Sequence, residues 1–221
     1  MKEAKTDLSD KTIINLVGPS AVGKTTIIKE IDEHYYNFSR VISYTTREPR
    51  KDEPQDTYRF INAHQADINE LKENSIQFDQ FPGTDVIYGT EAQDYRNRYN
   101  VLDTLSSSVD SFRGLGFAAC KQFIIIAKPN EWQARIDQRN FNTQQLASRY
   151  DEAIKSLSWS VNEGEAVKWI DYKEGSIGRI ASLIVGLSIN EDSYQAYQDR
   201  AAKEIGQALL SYIKYLKKKS E

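Results

Sequence analysis

Between Asn15 and Glu30 the chain reads NLVGPSAVGKTTIIKE, in which Gly18, Gly23, Lys24 and Thr25 satisfy the pattern G-x-x-x-x-G-K-[ST]. Such a loop works only where a strand ends and a helix begins. Its glycines let the backbone wrap an anion and turn its N–H groups inward, and the helix N-terminus adds a favourable dipole. The flanks agree: TIINLVG (Thr12–Gly18) is a short β-branched run ending on glycine, and Ile27, Ile28 and Ile31 fall at helical spacing. The motif predicts that residues from Gly18 through Ser20, Ala21, Val22, Gly23, Lys24, Thr25 and Thr26 cradle a nucleoside triphosphate. Lys24 would reach the β- and γ-phosphates and the Thr25 hydroxyl would help hold Mg²⁺.

The rest of the chain alternates strand-like and helix-like stretches, which predicts an α/β fold around a central parallel sheet. RVISYT (Arg40–Thr45), TYRFI, SIQFDQF and DVIYGT read as strands, and ADINELKEN and EAQDYRNRY as helices. NVLDTL, KQFIIIAK and AVKWIDYK return to buried-strand character. SSSVDSFRGLG, residues 130–139 and residues 143–158 read as helices between them. The strand-rich interval 40–100 reads as an inserted lobe. From Ser176 onward the pattern is helical and ends in KKKSE, which reads as a solvated, frayed helix end.

Composition excludes several function classes. With 29 Lys+Arg against 32 Asp+Glu the net charge is −3, so neither nucleic acid nor an anionic membrane is an expected partner. The single cysteine, Cys120, permits no intramolecular disulfide and fits a reducing compartment. No stretch approaches the roughly 20 apolar residues of a membrane span, and the polar start MKEAKTDLSDKT lacks the apolar run of a signal peptide. A cytoplasmic location is expected. His34 and His64 have no metal-ligand spacing, and Trp132, Trp159 and Trp169 read as packing residues.

The phosphate loop alone leaves open what faces it. SYTTREPRKDEPQDTYRFI sets Arg47 and Arg50 three residues apart, with Ser43 upstream and Tyr58 downstream. Two guanidinium forks and nearby hydroxyls suit a dianionic phosphate, although spacing alone is equally consistent with a solvated basic loop.

Taken together, GPSAVGKTT, the S-x-T-T-R-x-P-R segment from Ser43 to Arg50, the tyrosine of TYRF and Tyr88-Gly89-Thr90 resemble the guanylate kinase family. The likeness is strong from about Ile13 to Thr90 and weaker to about Tyr150. It implies a P-loop fold with a core at about 11–40 and 100–190 and a GMP-binding lobe at about 41–99. A lid is implied at about 135–155, and a helical extension follows at about 176–221. In the family's pattern Ser43, Arg47, Arg50, Tyr58 and Tyr88 would hold the GMP phosphate. Thr90 would contact the guanine, and Asp79, nine residues before Tyr88, would read its N1–H and amino group. Asp103, which retains the first carboxylate of a D-x-D-x-Q-G segment, would serve the metal and the guanine end. Arg139 and Arg149, ten apart, would close over the ATP phosphates, Arg135 playing either part; surface pairing of the arginines with Asp137 and Asp151 is the alternative.

The chain departs from the family's pattern in four places. Tyr58 stands one residue nearer to the arginines than is usual. Ala21 replaces a glycine, Asp79 stands where glutamate is usual, and Leu105, Ser107 and Ser108 replace the second aspartate and the glutamine–glycine pair. The resemblance implies transfer of a phosphoryl group from Mg·ATP to GMP, with ATP and GMP as partners and a monomer or homodimer as the working unit. Lys24, Arg47, Arg139 and Arg149 would carry catalysis. A related kinase with another phosphorylated acceptor and an inactive interaction module are the alternatives.

Overall fold

The computed structural model describes residues 7–49, 54–80 and 84–220. Strand β1 (Thr12–Val17) leads through the glycine loop into α1 (Lys24–His34) and then β2 (Phe38–Arg40). The chain continues through β3 (Tyr44–Thr45), β4 (Arg59–Phe60), α2 (Ile68–Asn74), β5 (Ser75–Gln80) and β6 (Ile87–Glu91). It then enters β7 (Tyr99–Asp103), α3 (Val109–Arg113), β8 (Ala119–Ile126), α4 (Pro129–Asp137) and α5 (Thr143–Asn162). Strand β9 (Lys168–Asp171) precedes α6 (Ile177–Ile189), α7 (Glu191–Ala196) and α8 (Arg200–Ser220).

Five strands form a parallel sheet in the order β2-β7-β1-β8-β9, and four form a separate mixed sheet in the order β4-β3-β6-β5. The middle strands β1 and β8 are near-continuous apolar runs because helices cover both faces of a parallel sheet. Ile13, Ile14, Leu16 and Val17 of β1 and Phe123 to Ile126 of β8 are wholly buried. The β1–α1–β2 crossover runs toward one edge and β8–α4–α5–β9 toward the other. Right-handed crossovers in opposite directions put their helices on opposite faces and open a crevice between the C-terminal ends of β1 and β8. The glycine loop sits at that crevice.

The sequence expectations differ from the fold in a few places. RVISYT is not one strand: β2 ends at Arg40 in the parallel sheet and β3 begins at Tyr44 in the mixed one, so the segment is where the chain changes sheets. EAQDYRNRY forms only a short turn at Ala92–Asp94, because Glu91 and Asp94 both receive the Arg59 guanidinium (2.7 and 2.8 Å) and Tyr95 is drawn inward. The C-terminal region is three helices, and α8 is no frayed end. It packs on α5, α4, β8 and β9, burying Ala202, Leu209 and Ile213, and Lys217 Nζ donates to Asp151 Oδ1 at 2.6 Å. Gly206 is the point of closest approach: a Cβ there would lie 2.1 Å from the Trp169 ring. Among the described residues no helix is long and apolar enough to cross a membrane.

Candidate active site

Two residues of the glycine loop need the conformational freedom of glycine. Gly18 (φ +137°) passes so close to β8 that a Cβ would lie 2.3 Å from the Ile125 carbonyl oxygen, and Gly23 (φ +99°) turns against the Tyr172 ring. Ala21 also adopts a left-handed conformation (φ 67°), which is strained for a residue with a Cβ. Lys24 opens α1 and is nearly buried; its Nζ donates to the carbonyls of Gly18 (2.5 Å) and Pro19 (3.2 Å) and lies 3.6 Å from Asp103 Oδ1. Asp103 ends β7 beside β1. Its surroundings push its carboxyl up by desolvation, Lys24 pulls it down, and the Glu152 charge pushes it up again.

The loop is fixed from outside as well. Trp132 of α4, wholly buried, donates its indole N–H to the Ser20 carbonyl at 2.9 Å. The Ser20 hydroxyl donates to Glu152 Oε2 at 2.9 Å, and the same oxygen accepts from Arg149 Nη1 at 3.1 Å. The Arg149 guanidinium also sits 5.7 Å from the Phe141 ring centre. Its helix, α5, is started by a capping box in which Asn142 and Gln145 bond each other's backbone N–H groups (3.1 and 2.8 Å).

The mixed sheet supplies the other wall. Arg47 follows β3; its Nη1 donates to the Glu48 carbonyl at 2.8 Å and its guanidinium lies 5.4 Å from the Tyr58 ring and 5.5 Å from the Phe60 ring. Tyr58 meets Tyr88 edge to face at 5.6 Å. Asp79 of β5 is paired with Tyr88 of β6, so both project from one face of the sheet. Asp79 Oδ2 accepts from Gln77 Nε2 (2.5 Å) and from the Ser108 hydroxyl, and its carboxyl is raised by burial against the pull of the Gln77 amide. Asp79 Oδ1 has no hydrogen bond among the described residues.

One cavity of about 560 Å³ brings these groups together. Of the residues singled out by sequence, its lining includes the loop from Ser20 to Thr26, then Ser43, Arg47, Tyr58, Asp79, Tyr88, Asp103, Arg139 and Arg149. Gly18 lies beneath the loop and contributes its carbonyl to Lys24. Thr90 does not line the cavity: it is wholly buried behind Gln77, its partner across the sheet, and its hydroxyl bonds Tyr95 Oη at 2.6 Å. Arg50 lies outside the described residues. Surface pairing is not how Arg149 is held, since its acidic partner is Glu152 and Asp151 serves Lys217. Arg135 stacks 4.8 Å from the Tyr172 ring centre. Glu152, Gln77 and Tyr172 line the same cavity and were not singled out. Only Glu152 left a signal, three residues after Arg149 on one helix face.

A glycine loop between the first strand of a parallel sheet and a helix N-terminus, with a lysine folded under it, defines the phosphate-loop class of α/β folds. The sequence model of guanylate kinase matches residues 9–163. The chain belongs to the guanylate kinase family. It is similar to the guanylate kinase of Sus scrofa, 29% identical over 157 residues that make up 67% of this chain and 78% of that protein. It is 22% identical over 184 residues to the guanylate kinase of Corynebacterium jeikeium (strain K411), covering 80% of this chain and 98% of that protein. It also matches the crystal structure of guanylate kinase from Anaplasma phagocytophilum with a TM-score of 0.55 at 18% identity, over 81% of this chain and 87% of that one. At that identity the likeness concerns the fold. The family match ends before β9, so α6, α7 and α8 lie beyond it.

Proposed function

We propose that this chain transfers the γ-phosphoryl group of Mg·ATP to GMP, giving ADP and GDP. The observation that carries the reading is that one cavity is lined both by the phosphate loop with Lys24 and by Ser43, Arg47, Tyr58, Tyr88 and Asp79 of the second sheet. A hydrolase needs no such second wall. Lys24 would leave its carbonyl partners for the β- and γ-phosphates, while backbone N–H groups of residues 20–26 bind the triphosphate at the start of α1.

The donor set suits Mg²⁺. Thr25 and Asp103 offer one hydroxyl and one carboxylate, both hard oxygen donors, too few for an all-protein cage and fitting for a cation held largely by phosphate oxygens. When bound through Thr25 and Asp103, the metal would supply positive charge that offsets the negative charge of the triphosphate. The protein's own part is positioning and electrostatics. Arg47, with Ser43 and the two tyrosines, would orient the acceptor phosphate, and Asp79 would accept from the base. Arg139 and Arg149 would stabilise charge spreading over the transferred group. No general base is required, because the acceptor phosphate is already an oxyanion at neutral pH. Closure of residues 41–99 and 135–155 over the cavity would exclude water.

A second reading, a kinase for another phosphorylated acceptor, is favoured by one observation: Gln77 and Ser108 both occupy Asp79 Oδ2, leaving a single carboxylate oxygen for a base. The deciding experiment is ADP release from Mg·ATP with GMP, dGMP, AMP, CMP or UMP as acceptor. The proposal expects GMP and dGMP to be used well above the others. Preference for AMP, or no turnover with any of the five, would overturn it.

A further inference from the structure

Glu152 is an anomaly in an anion site. Its carboxylate lines the cavity that holds the phosphate loop, close enough to Asp103 for each charge to oppose the other. Coulomb repulsion alone makes a second carboxylate unfavourable beside a triphosphate. Yet Glu152 is largely enclosed and well bonded: Oε2 accepts from Ser20 Oγ at 2.9 Å and from Arg149 Nη1 at 3.1 Å. Both donors belong to the phosphate machinery, one in the loop and one on α5. Among the described residues the only carboxylate contact to Arg149 uses Nη1, and Phe141 lies beside the guanidinium at 5.7 Å. Ser20, for its part, is anchored through its carbonyl to Trp132 of α4.

We infer that Glu152 is a positioning residue: it ties the Arg149 guanidinium to the phosphate loop, so that the arginine is aimed at the donor's transferring phosphoryl group before the nucleotide arrives. The inference rests on the kinase reading of Arg149 given above. A free arginine side chain loses substantial rotamer entropy when it is fixed. Glu152 makes part of that ordering a property of the empty protein, and the monodentate bond leaves the rest of the guanidinium fork for phosphate oxygens. The unfavourable charge is the counterpart of that orientation. With the Trp132 bond, Glu152 links the two helices after β8 to the loop after β1 at Ser20.

The test is a double-mutant cycle on phosphoryl transfer with Glu152→Ala, Arg149→Ala and the pair, with Glu152→Gln as the conservative variant. Glu152→Ala is expected to lower kcat about tenfold or more while the KM for GMP stays within about twofold. Glu152→Gln, whose amide oxygen accepts from the same two donors, should recover to within about threefold of the parent. In the Arg149→Ala background, Glu152→Ala should add less than about twofold. An equal loss from Glu152→Ala with and without Arg149 would show a merely structural role and overturn the inference, as would no loss at all. If Arg149→Ala itself leaves kcat unchanged, the kinase role of Arg149 fails and the inference falls with it, a result distinguishable from the previous two. Affinity for Mg²⁺ with a non-hydrolysable ATP analogue, measured by calorimetry on the same four proteins, repeats the cycle without any acceptor. There, additive losses would overturn the inference, and melting curves identify a variant that has failed to fold.

Discussion

Trp132 and Ser20 are 112 residues apart in sequence, and the indole N–H of one donates to the backbone carbonyl of the other at 2.9 Å. A helix from the far side of the sheet thereby fixes the phosphate loop. Replacing Trp132 with Phe keeps an aromatic ring but leaves a half-buried carbonyl without its indole donor, at about 1–3 kcal/mol. For a chain of this size that is a melting temperature lower by roughly 2–10 °C. Affinity for Mg·ATP should fall several-fold, with GMP affinity unchanged. A variant that melts like the parent and binds ATP equally well would remove the tether from the account.

Asp79 should show opposed effects on stability and binding. Burial raises its carboxyl in the folded protein, so the folded state keeps the proton to higher pH than the unfolded chain does. Stability from this group is therefore lost as pH rises from the ordinary carboxylate range through the folded value, and stays low above it. Asp79→Asn removes that loss and should melt higher than the parent at pH 7, the gap narrowing as pH is taken below about 4. The same variant should raise the KM for GMP about ten- to a hundredfold, since a charged acceptor is worth about 1.5–3 kcal/mol. Melting curves across pH and steady-state kinetics with GMP check the two halves separately.

Ala21 occupies a left-handed position that glycine fills without strain. Strain of about 1–2 kcal/mol is relieved by Ala21→Gly, against about 0.5–1 kcal/mol of added backbone entropy in the unfolded chain. A net rise of about 0.5–1 kcal/mol in unfolding free energy, read by denaturant titration, is expected. Turnover should be unchanged, because the loop's N–H groups keep their directions.

Two glycines in helices make a matched pair. Gly186 of α6 has open space where a Cβ would go, so Gly186→Ala should stabilise by about 0.5–1 kcal/mol through helix propensity. Gly206 of α8 faces Trp169, where a Cβ would come within 2.1 Å of the ring. Gly206→Ala should instead destabilise by about 1–3 kcal/mol, with a shift in indole fluorescence as the helix is pushed off β9. Equal effects from the two substitutions would mean that α8 does not dock as described.

What was legible in the sequence was local. The strand–loop–helix at Thr12–His34 could be read because its signals, β-branched run, glycines and isoleucines at helical spacing, lie side by side. The α/β alternation was legible for the same reason. RVISYT read as one strand because β propensity does not record which sheet a residue joins. Lys218 and Lys219 of KKKSE are exposed as the sequence suggests, but Lys217 pairs with Asp151, which belongs to another helix. At the site, motif residues could be named, but the tie of Trp132 and Glu152 to Ser20 could not, since 112 and 132 residues separate the partners. Ser108 drew notice as a departure from the family's pattern, yet its bond to Asp79 spans 29 residues. Thr90 shows the converse: a motif position whose hydroxyl is taken by Tyr95, a neighbour the motif does not include.

The docking of α8 has a consequence for how the chain is made. Leu209 and Ile213 complete the cover over α5 and β9, and Trp169 has its ring against Gly206. Synthesis proceeds from the N-terminus, so the glycine loop and the first wall of the cavity emerge from the ribosome long before the residues that seal this flank of the sheet. Until about residue 213 is free of the exit tunnel, the nascent chain lacks the helix that covers Trp169 and this apolar face of β8 and β9. A chaperone that binds apolar segments would find its target there, on the ribosome, and lose it once the last helix closes.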